Sequence, residues 1–505
     1  MAESHNQFYC HEAQEDPGMS VRVVYEDVAV GAAAASTVTT TARKDFANPA
    51  LIPYGTDAGL LASFEQNQWV LDGTRVLLGS QRAAFWSAVQ SNDDCTFDAA
   101  PTITISLNGQ FSSPGIFFYF DGSEGDYCSE IVLTWYNGEE QLASKTFTPN
   151  SYKYFCEQQV DLYNKLVVQI NKTHLPNHYA KISQIFFGIV REFERGELRS
   201  VRVTEGLNII SDDLEINTLD FSLDSADDID YVFQQKQPVS AYDSDHLIGV
   251  FYIESSSRKS VSVYDVSCID ALGVMDSEPF AAAIYSGASA KTLIQTILAG
   301  HFTLEYDSAL DDAKVTGYIP DCTKREALQQ IAFAICATID TSGTRGIKVR
   351  KLPTDEPVEI PLDRIYTGGS VETSSPVTEV RVTAHAYKTT GSGDSVEVDG
   401  TTYYHTTTVT TKTNPKVTAT TKPNVVEVKD ATLVSSSNVA AVAQHVYDYY
   451  MRRQRHSARI VMDGETPGDY VKTTTPWGST ITGTITSMGI RLSGIAAADC
   501  EIVGS

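Results

Sequence analysis

The chain has 505 residues, enough for three or four domains of ordinary size, each with its own core. Hydrophobic residues make up 42% and charged residues 20%, which excludes a disordered chain. Lysine and arginine total 38 against 64 aspartates and glutamates, a formal net charge of −26 that excludes a broad basic face for phosphate backbones or anionic membranes.

The first twenty residues, MAESHNQFYCHEAQEDPGMS, are polar and acidic and lack the apolar stretch of a secretory signal. They are read as a flexible segment, 1–20. No apolar run approaches the roughly 18 residues that a membrane span needs. VRVVYEDVAV reads as one or two strands, followed by Ala-rich AAAASTVTTT and an irregular stretch whose Pro and Gly mark turns. Residues 76–189 form a β unit. In PTITISL, Ile103, Ile105 and Leu107 face one way while Thr102, Thr104 and Ser106 face the other; GIFFYF suits a strand buried on both faces. IVLTWY and EEQLASKTF flank Asn137-Gly138, expected to supply the two positive-φ positions of a type I′ hairpin turn. With KLVVQI and HYAKISQIFFG this makes an antiparallel β-sandwich or jelly roll.

SVRVTEGLNI and LDFSLDSADD resume the alternation, with Leu219, Phe221 and Leu223 on one face. IGVFYIES and KSVSVYDVSC follow, with Ser-Ser-Ser-Arg as the expected hairpin loop. These strands, 190–268, combine with 21–75 as a second β domain. Residues 269–365 read as α+β. Ser289 is expected to cap a helix with Leu293, Ile294, Ile297 and Leu298 on one stripe and Gly300 just past its end. After the strand HFTLEYD, Thr323 and Glu326 form a capping box for a second helix, its buried face carrying Leu328, Ile331, Ile335, Cys336 and Ile339. TSGTRGIKVRKL then makes a turn and a strand. From 366 to 505 the chain is again mainly β: a Thr-rich ribbon from EVRVTAHAYKTT and SVEVDGTTYYHTTTVTT, a helix from Ser435 to Arg455, then three closing strands.

Catalytic signatures are absent: there is no GxSxG, P-loop, HExxH or dinucleotide fingerprint, and no catalytic residue, cofactor or metal site is assigned. His174 and His178 are four apart, but Pro176 between them makes a loop rather than a metal-binding helix face. Asp220, Asp224, Asp227, Asp228 and Asp230 offer oxygen ligands but lack the EF-hand spacing, so a solvated turn is expected. The eight cysteines have no metal-ligand spacing; free thiols are preferred, with a bridge among Cys95, Cys128 and Cys156 left open. Trp135, Tyr136, Tyr152 and Tyr154 cluster around the sandwich hairpin and are the candidate glycan-facing residues, against the alternative that they fill core.

The stretch DLEINTLDFSLDSADDIDYVF…LIGVFYIESSSRKSVSVYDVSCIDALGVMD resembles the N-terminal portion of phage tail baseplate hub and tail-tip proteins. CTKREALQQIAFAICATIDTSGTRGIKVRKLP is similar to their middle domain, and PGDYVKTTTPWGSTITGTITSMGIRLSG to their closing barrel strands. Residues 76–189 resemble a galactose-binding-like jelly roll inserted in such tail proteins. The resemblance implies a multidomain, mainly β chain: two tube-like β-barrel domains (21–75 plus 190–268, and 366–505), a central α+β domain (269–365) and the inserted β-sandwich. It also implies a non-enzymatic virion protein, assembled in the host cytoplasm into the tail as a homotrimer. Its partners would be the tail tube or distal tail protein, the tape-measure protein and a tip or spike protein. DNA would pass without specific binding, and acidic side chains are expected along the bore. The rival expectations are a tail protein that binds or degrades a cell-surface glycan, and the hub of a phage-derived contractile bacteriocin or injection system.

Overall fold

The computed structural model describes residues 21–29, 31–41, 47–52, 84–120, 126–224, 233–244, 246–418, 421–493 and 495–505. The segment 1–20, Cys10, most of the stretch 42–83, and Asp227, Asp228 and Asp230 lie outside them. The chain is multidomain and mainly β. Its two compact units lie within Tyr25–Glu192, and within Phe193–Ser505 together with Val21–Val24.

In the first unit two long strands, Thr102–Phe120 and Lys153–Thr173, each serve two half-sheets. The first half of Thr102–Phe120 pairs with Ser36–Thr40 and with the region around Leu166–Gln169. Its second half pairs with residues around Lys153–Glu157 and with Tyr179–Phe186. Register shifts between Ser106 and Gly115 separate the halves, as β-bulges do when a strand bends. Ile103, Ile105 and Leu133 from one half share a core with Ile116, Phe118, Phe120 and Ile182 from the other, which makes a sandwich. The hairpin Cys128–Asn137/Glu140–Phe147 forms with a shifted turn. Asn137 pairs with Glu140, so the loop is Gly138-Glu139 and only Gly138 has positive φ, 60°. That is the pattern of a type II′ turn rather than I′. Asn164 Oδ1 accepts from the Gly138 amide at 2.8 Å, and Asn137 stays extended in the ladder. Cys95, Cys128 and Cys156 are free thiols.

The second unit is built on part of a sheet of thirteen strands. In order it runs Ser370–Thr373, Gln454–Val461, Ile495–Gly504, Thr480–Ser493, Leu198–Gly206, Thr218–Asp224, Val263–Ile269, His246–Arg258 and Pro238–Asp243. Val21–Val28 and Gly188–Glu194, along which the chain enters and leaves the sandwich, end the row. Strands from the stretches 190–268 and 366–505 therefore share one sheet, joined antiparallel at Val203↔Ile490. The strand His246–Arg258 carries the three serines, so its hairpin loop is Lys259–Ser262.

Among the described residues four α-helices accompany the strands. α1 (Ala271–Asp276) has Asp270 as its cap and was not expected, because six residues are too few to show a 3.6 period. α2 (Ala290–Leu298) starts at Ser289 and ends in left-handed Ala299 and Gly300. α3 (Lys324–Ala334) carries the capping box, Thr323 and Glu326 each bonding the other's backbone amide. It stops before Cys336, whose φ is 54°, so Ile339 belongs to the strand Thr338–Asp340 and not to the helix face expected for it. α4 (Val439–Met451) is shorter than the expected Ser435–Arg455: a turn closed by Val439 N to Ser435 O precedes it, and the strand Gln454–Val461 follows. Its Val442 and Val446 cover Val380 and Val382 of the four-stranded Thr-rich sheet. A Thr323→Ala variant is expected to lose about 1 kcal/mol of stability, read as a lower urea midpoint, because the Glu326 amide in the first turn of α3 loses its side-chain acceptor.

Candidate functional site

The broadest candidate surface is the solvent face of the large sheet. Alternation sends Val201, Val203 and Glu205 inward and Arg202 and Thr204 outward. The register then sets Arg491, Arg202, Asp220 and Ser267 in one cross-strand row. Neighbouring rows carry Asp224, Asp265, Asp499, Glu501, Arg455 and Arg459. Charges of both signs therefore share this face, and acids do not dominate it. Most of its cations are engaged: Arg199 with Asp224, Arg455 with Glu501 at 2.8 Å, and Arg459 and Arg491 with Asp499 at 3.9 and 4.0 Å, while Arg202 is exposed without an ion pair among the described residues. Exposed pairs of this kind stabilise little, but they hold the guanidinium groups against carboxylates. Asp220 accepts from Ser267 Oγ at 2.7 Å, the position of an ordinary sheet-surface acid.

Behind the sheet lies a nest of three buried carboxyl groups. Glu205 comes from Leu198–Gly206, Asp270 caps α1, and Asp340 ends Thr338–Asp340. Asn217 ties the parts together: its Oδ1 accepts from Gly206 N at 2.8 Å and its Nδ2 donates to Thr341 Oγ1 at 2.9 Å. Thr341 in turn donates to Asp270 at 2.7 Å, and Arg350 pairs with Asp340 at 2.9 Å. Burial pushes Glu205 up to about 8, reinforced by Asp340 and Asp270. Burial also raises Asp270 to about 6, opposed by its bonds to Thr341 and the α1 amides, and raises Asp340 against the pull of Arg350. Glu205 is 2% exposed, its Oε1 has no hydrogen-bond partner among the described residues, and it lines two cavities of about 390 and 460 Å³. The nest suits a neutral acid in a tight joint. Among the described residues no group of three or more His, Cys, Asp or Glu could hold a metal ion, and no helix is long and apolar enough to cross a membrane.

The sandwich aromatics separate. Trp135 is 0% exposed and packs in the core, so its indole faces no solvent, which removes it from the glycan-facing set. Tyr136, its neighbour in the strand, is half-buried with Lys165 Nζ 4.6 Å from its ring centroid. Tyr154 is half-buried against the core. Tyr152, 37% exposed, meets Tyr119 edge-on at 5.5 Å, and Lys153 Nζ lies within 5.7 Å of both rings while pairing with Glu192. The structure thus brings Tyr152 together with Tyr119, a residue the sequence did not single out, and leaves Tyr136 beside Lys165 in the other half of the long strand. His174 stacks on Tyr127 at 4.4 Å, and buried His178 lies 3.2 Å from Asp126, itself paired with Lys181 at 2.6 Å. Glu205 was missed, although its register with Val201 and Val203 points it inward.

No family model matches the chain, and no curated protein does. Among solved structures, the chain is similar to the tail protein from Neisseria meningitidis MC58, at 12% identity and a TM-score of 0.44, over 62% of this chain and 93% of that one. It is similar to the 43 kDa tail protein of prophage MuSo2 from Shewanella oneidensis at 10% identity and 0.41, over 62% and 95%. Prophage tail protein gp18 from Listeria monocytogenes EGD-e compares at 11% identity and 0.40, over 61% and 91%.

Proposed function

We propose that this chain is a non-enzymatic structural component of a phage tail, a baseplate hub or tail-tip protein. The observation that carries the reading is the joining of two distant stretches, through Val203↔Ile490, into one antiparallel sheet with an open, charged outer face. A wall of this kind is what a ring around a channel requires. The tail-protein phrases noted in the sequence fall on the strands and helices of the same unit. The stretches 21–75 with 190–268 and 366–505 are the tube-like parts, 269–365 is the middle domain and 76–189 the inserted module. Three copies form the ring, which adapts the tail tube or distal tail protein above to a tip or spike below, in contact with the tape-measure protein. DNA passes along the sheet face without being held, because its arginines other than Arg202 are engaged by carboxylates and the chain's net charge is −26. Light scattering of the purified full chain is the first test: a mass that is a multiple of three chains supports the ring, and a strict monomer at every concentration contradicts it.

A second reading has its own observation, the Tyr119–Tyr152 pair with Lys153 beside it on the sandwich surface. A tyrosine face next to a cation and a carboxylate suits the apolar face and hydroxyls of a sugar. If the module takes a cell-surface glycan there, a glycan array gives binding that Tyr152→Ala abolishes and Tyr136→Ala leaves intact; an array silent for the full chain removes this reading.

A further inference from the structure

The four-stranded Thr-rich sheet has two edges of different kinds. One edge, Val425–Val428, is four residues long and carries Glu427, engaged by Arg381 and Lys429. Short, charged edges resist the addition of another strand. The other edge is unguarded. Ser395–Val398 covers only Thr401–Tyr404 of the strand Thr401–Thr413, while Glu379–Lys388 lines its inner side from Tyr404 to Thr413 without a register shift. His405 N donates outward to Asp394 O at 2.7 Å, and Asn414 N donates on the inner side to Thr378 O at 2.9 Å. Alternation between these two fixes the rest: Thr407, Val409, Thr411 and Thr413 turn their N–H and C=O groups outward. No described residue bonds those amides.

The segment TTTVTTKT is β-branched at every position but one, contains no proline and is exposed along most of its length, Val409 by 60%. Its one charge, Lys412, lies 6.0 Å from the Tyr447 ring of α4, with the even-numbered side chains and away from Val409. A long edge whose outward-bonding residues carry no charge is a template for strand pairing.

We propose that the edge Thr406–Thr413 pairs antiparallel with the same edge of a second copy of this chain, about a two-fold axis at Val409. That register sets Val409 against Val409 and Thr407 against Thr411, and each such pair exchanges two backbone hydrogen bonds. Thr–Thr and apolar pairs are favourable across strands, and no like charges meet. For a chain with a net charge of −26, this uncharged strip is a surface on which two copies approach without repulsion.

The test is the mass of the full chain by light scattering and sedimentation velocity, for wild type, Val409→Pro, Val409→Lys and Val409→Thr. Proline at 409 removes an outward donor and leaves the inner ladder intact; lysine sets like charges across the axis. The expected result is that both variants have half the wild-type mass at the same concentration with an unchanged circular dichroism spectrum, while Val409→Thr keeps the full mass. Halving is read whether the basic unit is one chain or a ring of three, so this inference and the tail reading fail separately. Equal masses for wild type and Val409→Lys would overturn it, including where a different protein is the strand that occupies the edge. If Val409→Pro fails to fold, Val409→Lys decides.

Discussion

Replacing Glu205 by Gln is expected to raise the stability of the larger unit at pH 8 by about 4 kcal/mol. The carboxyl is held at about 8 in the fold against an ordinary 4.5. Between those values the folded chain keeps a proton that the unfolded chain has released, so stability falls as pH rises through the window and levels off above it. Below pH 4.5 both states are protonated and the group is silent. Gln preserves the shape of the neutral acid and carries no proton to lose. Denaturant midpoints from pH 4.5 to 8.5 therefore diverge, with the variant increasingly ahead as pH rises. Asp270, raised to about 6, contributes a slope of the same sign over a lower window in both proteins. Parallel pH profiles for the two proteins would show that Glu205 ionises freely and that the nest is wetter than its burial indicates.

Trp135→Ala is expected to cost the sandwich 3–5 kcal/mol, roughly the loss for a buried aromatic that leaves a cavity. Trp135 has no exposed surface and packs among Leu133, Leu166 and Val168. The variant should melt earlier, with loss of the near-ultraviolet signal of a packed indole. Sugar binding, if present, should weaken only to the extent that the module unfolds. A folded Trp135→Ala protein with unchanged melting and abolished sugar binding would return this residue to the binding surface.

Period-2 alternation made most strands legible, because half-buried sheets write their two faces into successive residues. Ile103, Ile105 and Leu107, and Leu219, Phe221 and Leu223, all point inward as read. The caps at Ser289 and Thr323 were legible for a similarly local reason: each is a side chain bonding an amide three residues ahead. The pairing Val203↔Ile490 was not, since nothing near either residue specifies a partner almost three hundred positions away. The hairpin slipped by one residue because Asn164, from a different strand, fixes the Gly138 amide. Trp135 and Tyr136 look alike in sequence, yet alternation buries the first and half-exposes the second. Nearness in sequence does not place these aromatics together in space, whereas Tyr119, Tyr152 and Lys153 meet through the pairing Tyr119↔Lys153 and the bond from Phe120 N to Tyr152 O.

The negative charge, at first a reason to exclude nucleic-acid binding, becomes specific on the sheet face. Arg455, Arg459 and Arg491 each sit against an acid there and Arg202 stands unpaired among the described residues, so the face offers mostly engaged cations rather than a uniformly acidic lining.

Electron cryomicroscopy of a phage tail tip that carries this chain decides the proposed hub role. The expected result is a three-fold ring of this chain at the end of the tail tube, with Arg202, Asp220, Arg491 and Asp499 facing the channel. A tail tip in which the chain forms no ring, or turns that sheet face outward, would contradict it.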